Sequence, residues 1–264
     1  MNQVVVKQEK SGYQIVEAYK SLRTNLQFCG EDKKVIAVTS CTPNEGKSSV
    51  SMQLGISLAE SGKRVILIDA DLRKSVLLGR TKTQKSVRGL AHFLSGQATL
   101  EDVICSTNVK NFYMIYSGPF PPNPAELLGG KNFRSLLNAL RKVYDYVIVD
   151  TPPLGSVIDS AIVAEICDGS IMVIESGVIS YRFAQEVKSQ LERSNCPLLG
   201  ARFSHRSKFR EPTNLWHIQI CTEVFKLCFP ELFCSVKQKY KRRSNRKGGK
   251  KWTIRCSKSS LPRC

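Results

Sequence analysis

Five short, unbroken apolar runs recur along the chain, and their alternation with helix-patterned stretches constrains the fold more than any other feature. The runs are VIAVT (35–39), RVILIDA (64–70), FYMIYSG (112–118), YVIVDTPP (146–153) and SIMVIESG (170–177). Between and around them, residues 14–28, 47–61, 90–104, 131–143, 159–166 and 181–193 carry a helical pattern. A strand apolar at every position must be buried on both faces. That predicts a parallel sheet with helices on each side, an α/β doubly wound fold.

Composition divides the chain in two. Residues 1–200 hold 23 Lys and Arg against 19 Asp and Glu, whereas residues 201–264 hold 17 against 3. The net charge of +18 therefore lies mostly in the last 64 residues. Cys29, Cys41, Cys105, Cys167 and Cys196 are scattered singly and read as reduced thiols. The five tail cysteines also lack the paired spacing of a zinc site. There is no apolar run of about 18 residues, the length that spans a bilayer. The N-terminus lacks the apolar core of a secretory signal, so the expected location is the cytoplasm.

The stretch SCTPNEGKSSV (40–50) follows the first apolar run and opens a helix. Gly46, Lys47 and Ser48 complete a GxxxxGK[ST] phosphate loop in which Cys41 takes the leading glycine's place. In such a loop the backbone N–H groups wrap a phosphate, the lysine reaches the β and γ oxygens, and the hydroxyl meets Mg²⁺. Thr42, Pro43, Asn44, Glu45, Gly46, Lys47, Ser48 and Ser49 are the expected nucleotide contacts. Cys41 only enters the loop, so a small side chain is tolerated there. Phosphoryl transfer also needs carboxylates at neighbouring strand ends. Asp69 and Asp71 close one apolar run and Asp150 closes another, at the sheet edge where α/β folds bind ligands.

These segments resemble, in order and spacing, the bacterial tyrosine kinases of the type found as separate soluble chains in Gram-positive bacteria. VILIDADLRK is similar to their second acidic motif, YVIVDTPP to their Walker B motif, and PFPPNPAELLGGKNF to their PPNPxELL segment. EAYKSLRTNLQF resembles their oligomerisation helix, with Glu17, Lys20 and Arg23 in the ExxRxxR pattern and lysine in the place of one arginine. The resemblance covers about seven tenths of the chain and implies a P-loop NTPase-like fold and an ATP-dependent autokinase active on tyrosine. It implies ATP and Mg²⁺ as cofactors, with Ser48, Asp69, Asp71 and Asp150 as metal ligands. Lys47 would lie on the β and γ phosphates, and Asp71 would be the first choice to take the tyrosine proton. It further implies a homo-oligomeric ring, protein-tyrosine substrates, a role in capsular or extracellular polysaccharide synthesis, and a membrane-bound activator that completes the site. A switch ATPase of the partitioning type is the alternative, but its loop carries an earlier lysine that CTPNEGK lacks.

The pattern breaks near Gly200. In that family a buried strand similar to GVVLN and a tyrosine-rich tail would follow; here stand GARFSHRSKF and, after Tyr181, the single tyrosine Tyr240. The expectation is a kinase domain over 1–200 that has lost its last strand, leaving an open sheet edge, and a poorly ordered basic tail over 201–264. An apolar patch at EVFKLCFPELF is the tail's one candidate for order. The abrupt change points to a reading-frame shift in the coding sequence, and translation of the other frames tests it. Loss of the tail tyrosines predicts weak self-phosphorylation even where ATP binding survives. The tail's charge would attract polyanions, with steep salt dependence, but it carries no nucleic-acid motif and no specific nucleic-acid partner is expected.

Overall fold

The computed structural model describes residues 2–7, 12–83, 87–175, 178–204 and 218–219. They fall within one compact unit, Met1–Thr222. Most of the basic tail, including EVFKLCFPELF and Tyr240, lies outside the described residues.

Ten strands form one sheet: β1 (Asn2–Val6), β2 (Val35–Ser40), β3 (Val65–Asp69), β4 (Thr81–Thr83), β5 (Cys105–Thr107), β6 (Phe112–Ile115), β7 (Tyr146–Asp150), β8 (Gly169–Glu175), β9 (Leu198–Ser204) and β10 (Ile218–Gln219). Their order is β10-β9-β8-β2-β7-β3-β6-β5-β1-β4. From β9 to β6 every neighbouring pair is parallel, and antiparallel pairs occur only toward the two margins. The five apolar runs became β2, β3, β6, β7 and β8, the buried centre of the sheet.

Strand alternation sends side chains to two helical layers. Ile36, Val38, Val65, Leu67 and Ile148 pack with Tyr19, Leu22 and Leu26 of α1 (Tyr13–Phe28) and with Leu54 and Leu58 of α2 (Lys47–Glu60). On the other face Val35, Ala37, Ile66, Ile68 and Val147 meet three further helices. These are α6 (Lys131–Val143), α7 (Asp159–Ala164) and α8 (Tyr181–Arg193). On α6 the buried residues Phe133, Leu136, Leu137 and Leu140 recur at helical spacing beneath a charged outer face. Each such side chain contributes roughly 1.5–3 kcal/mol by leaving water. Three shorter helices, α3 (Leu90–Leu94), α4 (Leu100–Val103) and α5 (Pro124–Gly129), fill the connections around β5 and β6. The single helix expected over 90–104 is two, broken at Gly96, whose φ of +72° is left-handed.

One expectation is overturned. The last strand is not lost: β9 runs parallel to β8 from Leu198 to Ser204 and covers that edge, and β10 adds beyond it. Pairing is made by backbone groups, which Arg202 supplies as well as an apolar residue would. Its side chain lies in the α1 layer, 1% exposed, with the guanidinium carbon 3.8 Å from the centre of the Tyr19 ring. The charge that argued against a strand is accommodated by an aromatic face. The N-terminal strand β1 went unpredicted because VVV is short and flanked by polar residues.

Candidate active site

The phosphate loop is shaped by two left-handed residues, Asn44 at φ +68° and Gly46 at φ +86°. Gly46 caps α2, which has neither an acidic residue in its first turn nor a side-chain cap bond. The first turn therefore carries no neutralising side chain at its positive end, the arrangement that binds anions. Cys41 is fully buried, and burial pushes its thiol up to about 12, so it stays protonated and inert. A Cβ at Gly155 would lie 2.3 Å from the Cys41 carbonyl oxygen, so this loop must pass over residue 41 without a side chain.

Glu45 holds the loop in place. Its buried carboxylate accepts bonds from the Thr42 backbone N–H, the Thr42 hydroxyl (2.9 Å) and the Glu175 backbone N–H at the end of β8 (2.7 Å). The sequence of the loop carries no sign of this bracing role, because the partner lies 130 residues away.

β3 and β7 are neighbours, with Asp69 opposite Asp150 in register. The Lys47 ammonium lies 3.7 Å from Asp71 Oδ2 and 3.6 Å from Asp150 Oδ1. All four side chains are nearly or fully buried. Asp150 Oδ1 also accepts the Ser51 hydroxyl at 3.0 Å. Burial raises the Asp150 pKa, and Lys47 with the Ser48 and Ser51 hydroxyls offsets part of the rise. Burial, then the Asp150 charge, drives the Asp69 carboxyl up to about 7, although Ser75 donates its hydroxyl to Oδ2. Acids that repel one another around one lysine form a site short of positive charge. Among the described residues no three His, Cys, Asp or Glu side chains form a metal cage. Mg²⁺ in phosphoryl-transfer sites takes one or two carboxylates together with phosphate oxygens and water, and these residues fit that mode.

A cleft of about 460 Å³ opens here, lined by residues 43–50 of the loop, Asp71, Arg73, Lys74, Arg80, Pro152, Pro153, Tyr19 and Arg202. Arg80 donates to the Ser49 hydroxyl at 2.6 Å. The stripe on α1 lies apart from the acids: Lys20 pairs with Glu17 on the exposed surface at 2.8 Å, and Arg23 donates to the Ser57 carbonyl of α2 at 2.8 Å. Arg80 and Tyr19 went unremarked in the sequence, and Arg202 counted there only as a charge against a strand; nothing in their spacing links them to the loop.

A parallel α/β sheet, a helix start open to anions and a lysine between strand-end carboxylates define a phosphate-loop nucleotide-binding domain. The family described as an AAA domain matches residues 33–193. The tyrosine-protein kinase CpsD of Streptococcus agalactiae serotype III (strain NEM316) is 44% identical over 184 residues, 70% of this chain and 79% of that protein. The tyrosine-protein kinase YwqD of Bacillus subtilis (strain 168) is 39% identical over 187 residues, 70% of this chain and 78% of that protein. Among solved structures, the kinase domain of the Escherichia coli tyrosine kinase ETK superposes with a TM-score of 0.69 at 33% identity, over 74% of this chain and 78% of that one. The chain belongs to this AAA-domain family and, within it, to the bacterial tyrosine-protein kinases of the CpsD and YwqD type.

Proposed function

We propose that the chain is a protein-tyrosine autokinase of capsular or extracellular polysaccharide synthesis, with ATP and Mg²⁺ bound at the Lys47 cleft. The observation that carries the reading is Lys47 held between Asp71 and Asp150 at the start of α2, where no side chain caps the helix. The N–H groups of residues 44–49 and the Lys47 ammonium would hold the triphosphate. Ser48, Asp69, Asp71 and Asp150 would hold Mg²⁺ directly or through water. Bound there, the metal neutralises charge on the phosphates and leaves the γ-phosphate open to attack.

Lys47 is already clamped by two carboxylates, so it spends little rotamer freedom on reaching a phosphate. Asp71 is the least enclosed of the three acids, 7% exposed on the cleft wall, which supports it as the group that would accept an incoming tyrosine proton. Because the transition state is loose, its main work is orienting the hydroxyl. Among the described residues no helix is long and apolar enough to cross a membrane. Membrane association would come through an activator whose cytoplasmic segment completes the site. Assembly into a ring would use the Glu17, Lys20 and Arg23 stripe of α1.

The test is incubation with γ-labelled ATP, Mg²⁺, an activator segment and a tyrosine-rich peptide. Label on tyrosine is expected; phosphate release with no tyrosine label would favour a switch ATPase.

A further inference from the structure

We infer that Arg73 and Asp159 form a strap that sets the position of Asp71, so that both are positioning residues for phosphoryl transfer. The inference rests on the kinase reading of the cleft. Ladder pairing fixes β3 against β7 only as far as Asp69 and Asp150, one backbone bond beyond which joins the Ala70 N–H to the Asp150 carbonyl at 2.8 Å. Asp71 lies past the end of the ladder, where its turn is tied to β3 only through the Asp69 carboxylate, which accepts the Asp71 backbone N–H at 3.3 Å and the Ser75 hydroxyl. Its Oδ1 accepts the Lys74 backbone N–H at 3.0 Å, a bond within the same turn that moves with it.

Arg73, two residues on, supplies a link to the start of α7. Its Nε donates to Asp159 Oδ2 at 2.7 Å and its Nη2 to Asp159 Oδ1 at 3.0 Å, a two-bond fork. Asp159 is fully buried in the first turn of α7, which follows the Thr151–Pro153 segment leaving Asp150. The strap therefore joins the loop carrying Asp71 to the element that follows Asp150. A planar guanidinium bonded at two atoms resists rotation as well as separation, which a lysine cannot do. Arg73 also lines the cleft, so the strap lies beside the groups it aligns. Misplacing a reacting group by about 1 Å can cost roughly 100-fold in rate, so a loosened strap should lower turnover and spare the phosphate loop.

The experiment measures tyrosine label and phosphate release, as kcat and KM for ATP, in the full chain with Mg²⁺ and activator segment. It compares wild type, Arg73→Lys, Arg73→Ala and Asp159→Asn, with a thermal midpoint for each. The strap predicts that Arg73→Ala lowers kcat about 10- to 100-fold with KM for ATP changed less than about threefold, and that Arg73→Lys recovers part of the loss. If Asp159→Asn fails to fold, the two Arg73 variants decide, because Arg73 is 39% exposed and its loss removes little packing. An unchanged kcat in folded Arg73→Ala overturns the inference. So does a fall in kcat matched by an equal rise in KM and left unrescued by lysine. Wild type that releases phosphate yet never labels tyrosine defeats the kinase reading instead; the effect of Arg73→Ala on phosphate release then still tests the strap.

Discussion

Two buried cations are accommodated in opposite ways. Lys47 sits between two carboxylates at the mouth of the cleft, whereas Arg202 lies against the Tyr19 ring at the β9 flank of the sheet. At the first site burial drives the acids toward their protonated forms, so the cluster is costly without a bound cation. At the second, burial lowers the Arg202 pKa, and Tyr19 acts in the opposite direction. The first arrangement trades stability for chemistry; the second holds a strand and a helix together.

Several measurements would break or sharpen that contrast. The largest effect belongs to Lys47→Met, expected to reduce tyrosine labelling by at least about 100-fold with the fold intact by circular dichroism. Asp71→Asn should lower kcat by about 100-fold and leave nucleotide binding, read by calorimetry, largely in place. Asp69→Asn should behave differently again. Because the folded-state pKa of Asp69, about 7, lies above the unfolded value, the folded protein binds more protons between these values and stability falls as pH rises through them. In nucleotide- and metal-free protein the variant should therefore be more stable than wild type at pH 8, on the order of a few kcal/mol, and equal to it near pH 4. Thermal unfolding across that range checks the sign; a gain that grows toward acid would contradict it.

At the β9 flank the effects shrink. Tyr19→Leu keeps apolar bulk but removes the ring beneath Arg202, and should cost about 1–2 kcal/mol in denaturant unfolding. Lys20→Ala, on a half-exposed surface ion pair, should leave the unfolding midpoint unchanged within error. A change in sedimentation would then report on assembly alone.

The same contrast explains what was legible in the sequence. The central strands were readable because burial on both faces leaves no polar position, and the loop and acids were readable because phosphate chemistry fixes residue type and spacing together. Arg202 misled because a charged residue argues against a buried strand unless an aromatic partner is known, and Tyr19 lies 183 residues earlier. Asp159 carried no signal for a similar reason. Its meaning comes from Arg73, 86 residues away, and only folding brings the two together. The marginal strands β1, β4, β5 and β10, NQVVV, TKT, CST and IQ, carry polar residues and so show no unbroken apolar run.

The central claim is that the acids and lysine at the ends of β2, β3 and β7 transfer phosphate to tyrosine. Its most direct test is the ratio of phosphotyrosine formed to ATP consumed, counted by mass spectrometry with a tyrosine-rich acceptor, Mg²⁺ and the activator segment. The account predicts a substantial ratio for wild type and loss of both quantities in Lys47→Met. Phosphotyrosine that persists in Lys47→Met, or ATP consumed by wild type with none formed, would contradict it.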